Sequence, residues 1–65
     1  MNIGRSIKVA LAKNDMKKVD LANAFEWSPQ YVTKICSSAE LGMGTVQKLA
    51  HFFGMPVSEF ISLGE

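Results

Sequence analysis

The sequence is poor in the residues that hold very small folds together from outside the core. It has one cysteine, so no internal disulfide can form, and one histidine, so no ligand set with metal spacing can be assembled. Small secreted domains usually need such staples, so a reducing cytoplasm is the expected setting. Its longest unbroken apolar run, Val9-Ala10-Leu11-Ala12, spans 4 residues. A membrane-spanning helix needs about 20. Met1-Asn2-Ile3-Gly4-Arg5 is followed by no extended apolar stretch, so no signal peptide is expected. A large excess of one charge is also missing: 7 Lys+Arg face 6 Asp+Glu. The total therefore describes neither a polybasic arm nor an acidic tail. No Gly-rich phosphate loop and no nucleophile–base–orienter set can be picked out. With 65 residues there is little room to bury a catalytic cleft, and no enzyme is expected.

What the chain does have is apolar content, 48% of its residues, enough for a core. Its charge is also unevenly spread. Residues 1–34 hold Arg5, Lys8, Lys13, Lys17, Lys18 and Lys34 against Asp15, Asp20 and Glu26, a surplus of three positive charges. Residues 35–65 hold Lys48 against Glu40, Glu59 and Glu65, a surplus of two negative ones. Such asymmetry marks where a polyanion can sit, although six spread cations also describe an ordinary solvated surface.

Apolar residues recur with helical spacing. Ile3, Ile7, Ala10 and Leu11 share one stripe, and Leu21, Ala22 and Phe25 a second. Val32, Ile35 and Cys36 form a third, Val46, Leu49, Ala50 and Phe53 a fourth, and Val57, Phe60 and Ile61 a fifth. Period-two alternation is missing over any useful length. The spacing predicts an all-α chain forming a single domain over 1–65, with helices at roughly 3–13, 17–25, 28–36, 43–53 and 57–63. Asn2 is the expected cap of the first helix. Ser28-Pro29 opens the third, because Ser accepts an orphan amide and Pro has none to lose. Gly54 should end the fourth in a left-handed conformation, and Pro56 can open the fifth.

Only two or three residues around Glu26-Trp27 join the second and third helices, which forces a steep crossing, the helix-turn-helix arrangement. Ala22 is small enough to let the two helices approach, and Leu21, Phe25, Trp27, Val32 and Ile35 are their expected shared core. The run from Met16 through Lys17-Lys18, Leu21-Ala22, Phe25-Glu26 and Trp27-Ser28 resembles the Cro/repressor-type (XRE) helix-turn-helix family, whose pattern is M-T-Q-x-x-L-A-x-x-hydrophobic-G-hydrophobic-S. Val32-Thr33-Lys34-Ile35 matches its hydrophobic-S-K/R-hydrophobic run. Leu41 to Phe53 with Gly54-Met55 is similar to its fourth helix and exit, and Ser58-Glu59-Phe60-Ile61 to its closing helix. The chain departs from the pattern at three places. Glu26 stands at the turn position usually held by Gly. Lys17 stands at the usual Thr cap, so Asp15 is the substitute cap considered, one turn earlier. Ser37-Ser38 stands in a shortened loop where Gly is frequent.

The resemblance implies a compact five-helix lambda-repressor-like DNA-binding domain, of the kind found in phage or prophage Cro/repressor-like proteins. It implies a dimeric transcriptional regulator, a repressor on an inverted-repeat operator of double-stranded DNA, in the bacterial cytoplasm and nucleoid. No cofactor, metal, membrane or small-molecule ligand is expected. Gln30, Thr33, Lys34 and Ser37 recur at i, i+3, i+4, i+7 opposite the core face of the third helix and are the candidates for base readout. Gln suits adenine, and Lys suits guanine. Candidate phosphate contacts are Lys17, Lys18, Ser28, Tyr31 and Ser38. Tyr31 borders the core face, so either its hydroxyl reaches a phosphate or its ring packs. Arg5 and Lys8 are more remote and act mainly through their field. Phe52, Met55, Phe60 and Leu63 are the dimer candidates, while Phe60 and Ile61 can alternatively close the core. Cys36 reads as a buried structural thiol and His51 as a lone surface residue. The competing reading is an antitoxin- or antirepressor-like protein-interaction module that keeps the fold without DNA.

Overall fold

The computed structural model describes residues 2–65; Met1, with which the segment read for a signal peptide begins, lies outside them. The helices are α1 (Ile3–Lys13), α2 (Lys18–Phe25), α3 (Pro29–Cys36), α4 (Met43–Phe52) and α5 (Val57–Ser62), and no strand occurs among the described residues. Every predicted helix is present. Lys17, Ser28, Phe53 and Leu63, counted as helical from the sequence, are the flanking caps.

One core joins all five helices. It is built from Ile3, Ile7, Ala10 and Leu11 of α1, Leu21 and Ala22 of α2, Val32, Ile35 and Cys36 of α3, Val46, Leu49 and Ala50 of α4, then Phe53 and Phe60. α3 is the hub on one side, packed against both α1 and α2, and α5 packs against α1 and α4. The aromatic side chains run as a continuous chain from the surface at Tyr31 into this core at Phe53 and Phe60. Tyr31 meets Trp27 edge-on at 4.9 Å, Trp27 stacks on Phe25 at 4.4 Å, and Phe25 meets Phe52 edge-on at 5.2 Å. Phe52 meets Phe53 at 5.2 Å, and Phe53 stacks on Phe60 at 6.0 Å. Offset and edge-on contacts of this kind add about 0.5–1.5 kcal/mol each beyond burial.

The helix ends explain how short loops suffice. Asn2 caps α1 by accepting the Arg5 amide at 3.1 Å. The next orphan amides, Ile3 and Gly4, donate to the Ala39 and Ser38 carbonyls at 2.9 and 2.7 Å, which ties the start of α1 to the chain just after α3. α1, α2 and α4 all close with the same left-handed turn. The Met16 amide donates to Leu11 O, Trp27 to Ala22 O and Met55 to Ala50 O, at 2.8, 2.9 and 3.0 Å. The left-handed residues are Asp15 (φ 53°), Glu26 (φ 57°) and Gly54 (φ 72°). Gly54 is the residue expected there. Asp15 therefore ends α1 and does not cap α2, a correction to the sequence reading. Lys17 has no acceptor to offer at the start of α2; instead the Asp20 carboxylate reaches back to the Lys17 amide at 2.9 Å.

After α3 no left-handed residue is needed. Ser37 stays right-handed, and Ser38 turns its hydroxyl onto the Lys34 carbonyl at 2.9 Å. Ser6 is the one polar side chain in the buried set. Its hydroxyl lies 3.3 Å from both the Asn2 and Ile61 carbonyls, so a single proton is shared between α1 and α5.

Candidate nucleic-acid interface

Glu26, Trp27 and Ser28 carry the chain from α2 into α3. The left-handed Glu26 reverses its direction, and Ser28 then starts α3 by accepting the Tyr31 amide at 3.2 Å, with Pro29 in the first turn. Trp27, half-buried, fills the elbow between Phe25 and Tyr31. The crossing is therefore set by one backbone conformation, one cap and one aromatic wedge.

α3 divides into two faces. Val32, Ile35 and Cys36 are buried. Gln30, Thr33, Lys34 and Ser37 are exposed and lie together on the opposite side. Eight residues rise about 12 Å, comparable with a DNA major groove about 12 Å wide. Because the inner face is locked into the core, the outer one is presented without freedom to roll. Tyr31 is 37% exposed while its ring rests on Trp27, so packing and an accessible hydroxyl coexist in one side chain.

Lys17 and Lys18 are exposed at the start of α2. The first amides of a helix lack intrahelical partners and carry the positive end of its dipole. Here the Asp20 carboxylate engages that of Lys17. Ser28 is exposed, and its hydroxyl proton is not used by the cap, which takes only the oxygen lone pair. Ser38 differs. Its hydroxyl donates to Lys34 O and its carbonyl accepts the Gly4 amide, so Ser38 also ties the end of α3 to the start of α1.

The chain belongs to the helix-turn-helix family. The family model described as "Helix-turn-helix" matches residues 7–60, which takes in most of α1 and continues into α5. Comparison with curated proteins and with solved structures returns no match. The family assignment makes this helix-turn-helix protein a DNA-binding transcription regulator of the Cro/repressor (XRE) type, a family whose members are typically not enzymes.

The predicted dimer residues of this helix-turn-helix protein do not form one set. Phe60 is 0% exposed and stacks on Phe53 within a single chain, so it offers no surface to a second copy. It closes the core, the alternative weighed from the sequence. Phe52, Met55 and Leu63 are half-buried and pack against the core while retaining some surface. Phe52 spends one edge on Phe25.

Three features escaped the sequence reading. Met43 is exposed at the start of α4 and borders a groove of about 140 Å³ lined by Ile3, Glu40, Leu41, Val46 and Ile61. Val19 is exposed beside Lys18. Lys8 of α1 acts through its field, with Lys18, on the Cys36 thiol of α3, pulling it down against burial, which pushes it up and dominates. Nothing in the sequence spacing marks the groove or the Lys8 position, since both depend on how α1 meets the end of α3. Among the described residues no cluster of His, Cys, Asp and Glu could hold a metal ion, and no helix is long and apolar enough to cross a membrane.

Proposed function

We propose that this protein is a sequence-specific regulator that occupies an inverted-repeat operator as a homodimer and represses transcription by obstructing polymerase. The observation that carries this reading is the exposed Gln30–Thr33–Lys34–Ser37 stripe on a helix whose other face is locked in the core. Gln30 pairs with an adenine edge and Lys34 with a guanine edge. Thr33 offers a hydroxyl, or a methyl to thymine, and Ser37 completes the stripe. Lys17, Lys18, Ser28 and Tyr31 hold the phosphates that fix register. Phe52, Met55 and Leu63 supply the apolar surface for the second copy. A two-fold dimer sets the reading helices about 34 Å apart, one turn of DNA. With a net charge of only +1, one protomer binds modestly and pairing supplies the affinity.

A second reading is a protein-interaction module, antitoxin- or antirepressor-like. The groove beside exposed Met43 favours it, as do Glu26 and Lys17 at positions where the family pattern differs. Sedimentation with a duplex selected from a random pool tests both. Two chains per duplex is the expected result. A species that stays monomeric with and without DNA rejects the dimer. A stoichiometric protein partner together with no selected DNA favours the second reading.

A further inference from the structure

We propose that Pro29 and the methyl group of Thr33 form an apolar contact for a thymine methyl, so that the first turn of α3 selects A·T pairs and Pro29 joins the specificity-determining residues. This rests on the base-reading proposal above and deepens it by naming what the leading end of α3 takes.

The first observation is where Pro29 stands. It is the first residue of α3, and it is exposed. Four residues carry a helix once round and about 40° further, so Pro29 lies one turn before Thr33 and beside it. The Gln30–Thr33–Lys34–Ser37 stripe is thus bordered by Tyr31 on one flank and by Pro29 on the other. Helical side chains lean toward the N-terminus, which brings Thr33 toward the Pro29 ring. Gln30, three residues before Thr33, is its other neighbour on that turn. An amide suited to adenine therefore sits against two hydrocarbon surfaces.

The second observation is the hydrogen bonding of the same turn. Pro29 has no amide proton. The Tyr31 amide donates to the Ser28 hydroxyl and the Val32 amide to the Ser28 carbonyl, each at 3.2 Å. Of the first four positions of α3, Gln30 alone keeps a backbone donor to offer. The leading end is therefore poor in donors for a phosphate, and what it presents beside Gln30 is hydrocarbon. In the major groove the thymine methyl is the one apolar group among the base edges. Any adenine taken by Gln30 brings a thymine with it across the pair. Lys34, with its charge for guanine, stands about 6 Å further along α3, about two base-pair steps. The reading face has a polarity, A·T at its start and G·C beyond.

The competing explanation is that Pro29 only starts the helix, since its fixed φ suits the first turn and its missing amide costs nothing there. That role predicts equal weakening on every duplex when Pro29 is replaced, with no dependence on a methyl group in the DNA.

The test uses the full chain and the duplex that it selects from a random pool, with thymines replaced one at a time by uracil. Uracil keeps the pairing edge and lacks the methyl. Fluorescence anisotropy at fixed salt should show about a fourfold loss at one thymine per half-site, as expected for one methyl withdrawn from contact. That thymine should lie in, or next to, the pair where Gln30→Ala loses preference. Thr33→Ser deletes the methyl, keeps the hydroxyl and leaves the helix start intact. Thr33→Ser and Pro29→Ala should each narrow the thymine–uracil difference to less than about twofold. Unchanged wild-type affinity at every uracil overturns the proposal. So does a uracil loss that persists in either variant, since another group then meets the methyl. A lower melting temperature in Pro29→Ala, with the fourfold difference retained, is the helix-start explanation and also overturns it. If the wild-type chain selects no motif, the base reading itself fails, an outcome seen before any uracil is introduced.

Discussion

Replacing Glu26 by glycine should stabilise the protein. Glu26 sits at φ 57°, ψ 36°, in the left-handed region, and it is exposed. An L-residue with a side chain loses roughly 1–2 kcal/mol there. Glycine removes that penalty but gives up about 0.4–1 kcal/mol through the greater freedom of its unfolded chain. The balance is a gain of about 1 kcal/mol, or roughly 4–8 °C in melting temperature for a domain this small. The closing bonds of the turn, Trp27 N–H to Ala22 O at 2.9 Å and Glu26 N–H to Asn23 O at 3.4 Å, are backbone bonds and survive the change. Thermal and urea unfolding followed by circular dichroism measure the difference. Glu26→Ala is the control, because it deletes the carboxylate and keeps the backbone penalty; it should gain nothing. If Glu26→Ala gains as much as Glu26→Gly, charge and not backbone conformation is the cause. A Glu26→Gly variant less stable than wild type would refute the left-handed turn.

Two further outcomes follow from packing and burial. Gly4→Ala should lose about 2 kcal/mol, although alanine at an open helical site gains about 1 kcal/mol over glycine; a stabilised variant would mean that α1 does not meet the Cys36 and Ser38 carbonyls as described. The Cys36 thiol is raised above its ordinary 9.0, mainly by burial. The folded state therefore keeps its proton where the unfolded chain has lost it. Stability should be level below pH 9.0 and decline above it. Cys36→Ala should abolish that alkaline decline, and an identical pH profile in the variant counts against a buried thiol.

Much of the fold was legible because apolar spacing is a local property. The stripe Ile3, Ile7, Ala10, Leu11 and the split faces of α3 follow directly from a period of 3.6 residues. What escaped is non-local. Gly4 looks like a weak point in a helix until α3 is placed against it. Ser6 looks like surface until Ile61 arrives across the core. In sequence Phe60 is apolar surface near the chain end that suits an interface or the core, and its complete burial against Phe53 places it in the core. Ser38 resembles a free hydroxyl in sequence, yet it donates to Lys34 O. The left-handed end of α1 is hidden by Asp15, since glycine is the residue that signals such turns, whereas the turn at Glu26 is marked only by its place in the family pattern.

On the proposed function, the exposed face of α3 reads bases. Parallel selection from a random DNA pool at fixed salt, with the wild-type chain and with Lys34→Ala, tests it most directly. The wild type should enrich an inverted repeat with half-sites one helical turn apart. Lys34→Ala should enrich the same repeat with preference lost at one position per half-site, and bind it about 1–3 kcal/mol more weakly. Identical motifs and affinities from the two proteins, or no enriched motif from the wild type, would contradict it.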